Sequence, residues 1–85
     1  MKQPLDEKEL SVLKAIVRGG FTPGSKALRQ SKVDPEEFMT AVRKLKDLGY
    51  IDANGNLDDP VYIQAAVMSP RPTRQSEINE LLEES

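Results

Sequence analysis

The stretch Val33-Asp34-Pro35-Glu36-Glu37-Phe38-Met39-Thr40-Ala41-Val42-Arg43-Lys44-Leu45-Lys46-Asp47-Leu48-Gly49-Tyr50-Ile51 decides the fold. Asp34 is an N-cap, Pro35 sits at the first helical position, where a missing N–H costs nothing, and Glu37 completes a capping box. Val33 before the cap and Phe38 at the fourth position form a hydrophobic staple. Phe38, Val42, Leu45 and Leu48, with Ala41 beside them, share one helical face, and Gly49 is placed to end the helix. After Gly49 the period changes. Tyr50-Ile51-Asp52-Ala53 reads as a strand and Asn54-Gly55 as a tight turn. The segment predicts a helix over 34–48 that runs directly into a hairpin.

The same signals recur upstream. Asp6 caps a helix with Glu9 three residues later, Leu5 and Leu10 form the staple, and Leu10, Leu13, Ile16 and Val17 fall at helical spacing before Gly19-Gly20. A helix over 7–18 follows. Phe21-Thr22-Pro23-Gly24 reads as loop. Ser25–Ser31 is a weak helix with only Ala27 and Leu28 as apolar anchors, so packing must hold it. Helix, short helix, four-residue turn (Ser31–Asp34) and helix is the spacing of a helix-turn-helix.

Downstream, Val61, Ile63, Ala65 and Val67 alternate with Tyr62, Gln64, Ala66 and Met68, which predicts a half-buried strand over 61–67 with Pro60 at its start. A helix begun by Asp59-Pro60 is the competing reading. The hairpin has two registers: residues 50–53 pair with 56–59 across a tight Asn54-Gly55 turn, or with 61–67 across a longer loop. Ser69–Arg74 reads as extended linker. Ser76 then caps a short acidic helix with Ile78, Leu81 and Leu82 on one stripe. Such a helix is marginal alone, so it docks on the body, pairs with another chain or frays. The expected organisation is a domain over 1–68 followed by a linker and acidic amphipathic helix over 69–85, α+β in class.

Composition narrows the chemistry. The 85 residues hold 12 Lys+Arg and 14 Asp+Glu, a net charge of −2, with no His, Cys or Trp. That length supports one domain, burying roughly 60–65% of its unfolded surface. Without thiol or imidazole, a metal site would have to be all-carboxylate, and neither a metal nor a cofactor is expected. The missing disulfide framework fits a reducing cytosol, and residues 1–20 hold no apolar run long enough for a signal peptide or membrane span. With no Gly-rich phosphate loop and no paired carboxylates in a reliable motif, an enzyme is not expected. The charge is uneven: residues 1–10 are net −1, residues 11–46 net +5 and residues 47–85 net −6. A basic binding surface with an acidic tail is one account, and ordinary solvated faces are the plainer one.

Val33–Phe38 at a turn into a helix, and Leu45-Lys46-Asp47-Leu48-Gly49-Tyr50-Ile51 at a helix-to-wing junction, resemble the winged helix-turn-helix superfamily. The resemblance covers roughly residues 6–67 and is nearest in layout to the MarR-type regulators. It implies three helices followed by a β-hairpin wing, to which the residues themselves add the short C-terminal helix, an α+β winged helix-turn-helix. It also implies a cytoplasmic, dimeric transcriptional regulator that binds double-stranded DNA with helix 34–48 in the major groove. The superfamily also holds members that lack DNA binding and act as protein-interaction modules, so the fold leaves both readings open.

The expected DNA-contacting set follows from that layout. The face opposite the apolar stripe of helix 34–48 holds Glu36, Thr40, Arg43 and Asp47, with Lys44 nearby. Arg43 can bind a guanine edge, Thr40 a base or a thymine methyl, and Lys44 a phosphate. Ser25, Lys26 and Arg29 on the short second helix are expected at phosphate, and Asn54 in the wing at phosphate or sugar. Glu36 and Glu37 oppose this set and read as caps of the helix dipole. Asp52, Asp58 and Asp59 stand where a DNA-touching wing usually carries cations. Met39 reads as peripheral core, and Lys14 and Arg18 as solubilising. Arg71 and Arg74 read first as solubilising linker residues and second as a basic arm able to reach a minor groove. Ile78, Leu81 and Leu82 are the expected contact with a second copy or a protein partner.

Overall fold

A computed structural model describes residues 5–84; Lys2, counted in the charges above, lies outside them. Helix α1 (Glu7–Gly19) starts as its capping box dictates. The Asp6 carboxylate accepts from the Glu9 N–H at 2.8 Å, and the Glu9 carboxylate accepts from the Asp6 N–H at 2.9 Å. Helix α2 (Gly24–Ser31) ends on Lys32, whose φ of 58° is the left-handed conformation that turns the chain toward the next helix. Helix α3 (Pro35–Asp47) begins at Asp34, whose N–H donates to the Glu37 carboxylate at 3.2 Å. Gly49 follows with a φ of 84°, the left-handed C′ position that its sequence place required.

Three strands form one antiparallel sheet: β1 (Thr22–Pro23), β2 (Ile51–Asn54) and β3 (Val67–Pro70), in the order β1-β3-β2. Thr22, Met68 and Ala53 form a row facing the core, and Pro23, Val67 and Asn54 a row facing solvent. Helix α4 (Gln75–Glu84) follows a single 3-10 turn over Pro72–Arg74. One core gathers Leu13 and Ile16 of α1, Phe38, Val42 and Leu45 of α3, Ile51, Ile63, Met68 and Ile78. The described residues thus form a small α+β fold of four helices and a three-stranded antiparallel sheet.

Three local expectations are corrected. Residues 61–67 do not form the second strand of the hairpin: Tyr62–Gln64 is a 3-10 turn, and the pairing segment is Val67–Pro70. The Asp59 side chain accepts from the N–H groups of Val61 (2.8 Å) and Tyr62 (3.3 Å), which bends the chain after Pro60 into a turn and satisfies donors a strand would have used. Both expected registers are therefore replaced by residues 51–54 against 67–70. Thr22-Pro23, read as loop, is an edge strand, where a residue lacking an N–H is tolerated. Ser69 and Pro70, read as linker, complete β3, and the Arg71 N–H donates to the Tyr50 carbonyl at 2.9 Å.

Helix α4 docks on the body. Ile78 and Leu81 are buried in the chain's own core and Leu82 packs against it, so the stripe expected to meet a second chain lies inside the protein. The Arg74 guanidinium lies 5.9 Å from the centre of the Tyr50 ring and donates to both Glu77 carboxylate oxygens at 2.9 Å. Among the described residues, no helix is long and apolar enough to cross a membrane.

Candidate nucleic-acid interface

Helix α2 carries its buried residues, Gly24, Ala27 and Ser31, on one side. Its 3.6-residue period then sends Arg29 straight outward, with Ser25 on one flank and Lys26 and Gln30 on the other, beside α1. Two grooves flank it. Lys26, Gln30 and Lys32 line one with Lys14 and Arg18 of α1. Ser25, Arg29 and Lys32 line the other with Val33, Pro35 and Gln64. Lys14, Arg18, Lys26, Arg29 and Lys32 are all exposed, and no carboxylate lines either groove. None of the five is in an ion pair among the described residues.

Helix α3 presents a different surface. The Thr40 hydroxyl donates to the Glu36 carbonyl at 3.1 Å, back along its own helix. Arg43 pairs with Asp58 at 3.5 Å, both side chains well exposed. Lys44, expected at phosphate, turns to the α1 flank instead. Its Nζ lies 3.0 Å from Glu9 Oε1, the same oxygen that closes the α1 capping box. Glu9 keeps only 11% of its side-chain surface, so Lys44 supplies the positive charge that its burial demands. Glu37 pairs with Lys8, again joining α3 to α1.

The helix starts of α1 and α3 lie side by side, and the cleft between them is lined by Asp6, Glu7, Glu9, Glu36 and Glu37, with Lys8 the one cation there. Each acid is locally sensible, since negative charge at a helix N-terminus opposes the positive end of its dipole. Their sum is an acidic wall on the half of α3 where base contacts were expected, and Thr40 lines it. Asn54 is exposed at the end of β2, on the solvent row of the sheet. Arg71, read as a solubilising linker residue or a basic arm, pairs with Asp52 at 2.9 Å.

Of the expected set, Ser25, Lys26 and Arg29 therefore share one basic surface, while Thr40, Arg43 and Lys44 are engaged within the protein and Asn54 stands apart. Lys14, Arg18 and Lys32 join the basic surface and were missed. Their signal was present in the alternation of Lys14 and Arg18 at i and i+4, which puts both on one face of α1. What the sequence withheld was which face α2 packs beside. Comparison with protein-family models, with characterised proteins and with solved structures found no match to this chain.

Proposed function

We propose that this chain is a small winged helix-turn-helix protein that binds double-stranded DNA. In this reading α1, α2 and α3, with the turn through Lys32–Asp34, form the three-helix part, and β2 with β3 forms the wing. The observation that carries the functional half is the surface around α2: five cations, unpaired among the described residues, on two adjoining grooves without a carboxylate. Lysine and arginine on flexible stems at that density neutralise phosphates and release condensed counterions, the main source of affinity for DNA.

The test is fluorescence anisotropy with a labelled 20-base-pair duplex at several salt concentrations. The proposal expects binding that weakens steeply as salt rises. No binding at about 20 mM salt, where phosphate attraction is least screened, would refute it.

A second reading, a protein-interaction module without affinity for DNA, draws on a specific observation. Phe21 is 80% exposed, Val61 71% and Tyr62 62%, apolar side chains available to a protein partner. Failure of the duplex to bind would favour it.

A further inference from the structure

We infer that α2 rather than α3 leads the contact with DNA, and that binding is therefore carried by phosphates and is independent of base sequence. The inference rests on the DNA-binding reading above and concerns which helix and which chemical groups of the duplex are engaged.

Reading a base edge requires a side chain that is free to donate or accept and a helix N-terminus that tolerates the approach of a polyanion. On α3 the second condition fails, and the first is met only in competition with partners inside the protein. The three residues able to contact a base or its flanking phosphate already have partners: Thr40 the Glu36 carbonyl, Arg43 the Asp58 carboxylate and Lys44 the Glu9 carboxylate. The first turn of α3 carries Glu36 and Glu37 and borders a cleft with three further carboxylates. Inserting this end into a groove would bring those charges against two phosphate chains.

Around α2 the balance reverses. Cations outside the basic surface are ion-paired among the described residues, except Lys46, which shares its groove with Asp47 and Asp58. The five on the basic surface are unpaired among the described residues, come from two helices and the turn after α2, and line the two grooves on either side of α2. Three of the five are lysines, point charges on long stems that follow a phosphate chain whatever its bases, and Arg18 and Arg29 pair as readily with phosphate oxygens. The only uncharged hydrogen-bonding side chains here are Ser25 and Gln30 on α2 and Ser11 and Gln64 beside it, too few and too dispersed to form a reading set.

Two measurements test this together. The first is selection from a pool of random 20-base-pair duplexes, expected to enrich no motif. The second compares Lys26→Ala with Arg29→Ala, combined, against Thr40→Ala with Arg43→Ala, combined, by anisotropy over a salt series. Each lost phosphate contact lowers the slope of log K against log salt by about 0.9, so the first pair lowers it by about 2 and weakens binding at 0.1 M salt on the order of fifty-fold. The second pair is expected to leave slope and affinity within about threefold of the parent. All four side chains are exposed, and circular dichroism of each variant confirms that the fold is retained. An enriched motif whose binding is lost in the Thr40/Arg43 variant but kept in the Lys26/Arg29 variant would overturn the inference and leave the DNA-binding reading intact. Absence of binding to any duplex would instead overturn that reading itself.

Discussion

Replacing Ile78 by Ala removes the main anchor of helix α4, and the structure fixes how far the damage spreads. Ile78 has no exposed surface and belongs to the same core as Leu13, Ile16 and Met68. Truncating such a residue costs about 2–5 kcal/mol, the loss of burial plus the cavity left behind. A chain of 85 residues has about 4–13 kcal/mol of stability in total, so the change is a large fraction of it. The docking of α4 sets an upper bound. Burying Ile78 and Leu81 contributes about 1.5–3 kcal/mol each before the helix is ordered, and a ten-residue helix is marginal without that burial. Loss beyond this bound is avoided by releasing α4 while the rest stays folded. Thermal unfolding followed by far-ultraviolet circular dichroism is expected to show a midpoint lowered by on the order of 10–20 °C. Hydrogen exchange over 75–84 is expected to accelerate most. The control, Glu80→Ala on the exposed side of α4, should stay within about 0.5 kcal/mol. A midpoint for Ile78→Ala within about 2 °C of the parent would refute the placement of α4 in the core.

Two further predictions concern close contacts. A Cβ on Gly24 would lie 1.9 Å from the Ile63 carbonyl oxygen, so Gly24→Ala must push the 3-10 turn off α2. It is expected to lower the urea midpoint by the equivalent of about 1–3 kcal/mol with the slope unchanged, and a parental midpoint would show that the turn does not pack there. Lys44→Met leaves the nearly buried Glu9 with only the Asp6 N–H, and a loss of about 1 kcal/mol in chemical denaturation is expected, the pair being partly open to water. If Lys44→Met is fully stable but reduces duplex binding as much as a change at Lys26 does, Lys44 serves phosphate and the flank assigned to it is wrong.

How much was legible depended on whether the signal was local. α1 and α3 could be read to within a residue or two because each carries a capping box, an apolar stripe of period 3.6 and a glycine stop, all decided within one segment. The sheet could not be read in this way. Val61, Ile63, Ala65 and Val67 alternate as a strand does, yet Asp59 binds the two N–H groups ahead of it and only Ile63 of the four is buried. The real strand, Val67–Pro70, contains a proline, which makes it look like linker, and is recognised only through its partners Ile51–Asn54. β1 is shorter still. Its two residues are held because Gly19 lacks a side chain: a Cβ there would meet Thr22 Oγ1 at 1.8 Å, a closeness that no local pattern announces. The site divides in the same way. Residue types on α2 were readable, whereas the partners of Arg43 and Lys44 come from residues 15 and 35 positions away.

That division bears on what the net charge of −2 means. Along α1, Glu7 and Arg18 stand about 16 Å apart, at a rise of about 1.5 Å per residue. The Debye length is about 10 Å at 0.1 M salt and about 30 Å at 0.01 M. At physiological salt the acidic end of α1 is therefore largely invisible from the groove where Lys14, Arg18, Lys26 and Lys32 gather, and a polyanion there meets a local surface that is wholly positive. At 0.01 M the screening length approaches the 35 Å longest dimension of the molecule, and the whole-chain charge is felt at every point of its surface. The acids then orient rather than forbid: attraction at α2 and repulsion at the paired helix starts of α1 and α3 turn an approaching duplex toward α2. A mildly acidic protein with its charges sorted in this way is compatible with a phosphate-bearing partner, and on the proposed DNA-binding reading the sorting favours α2 as the helix that would meet it.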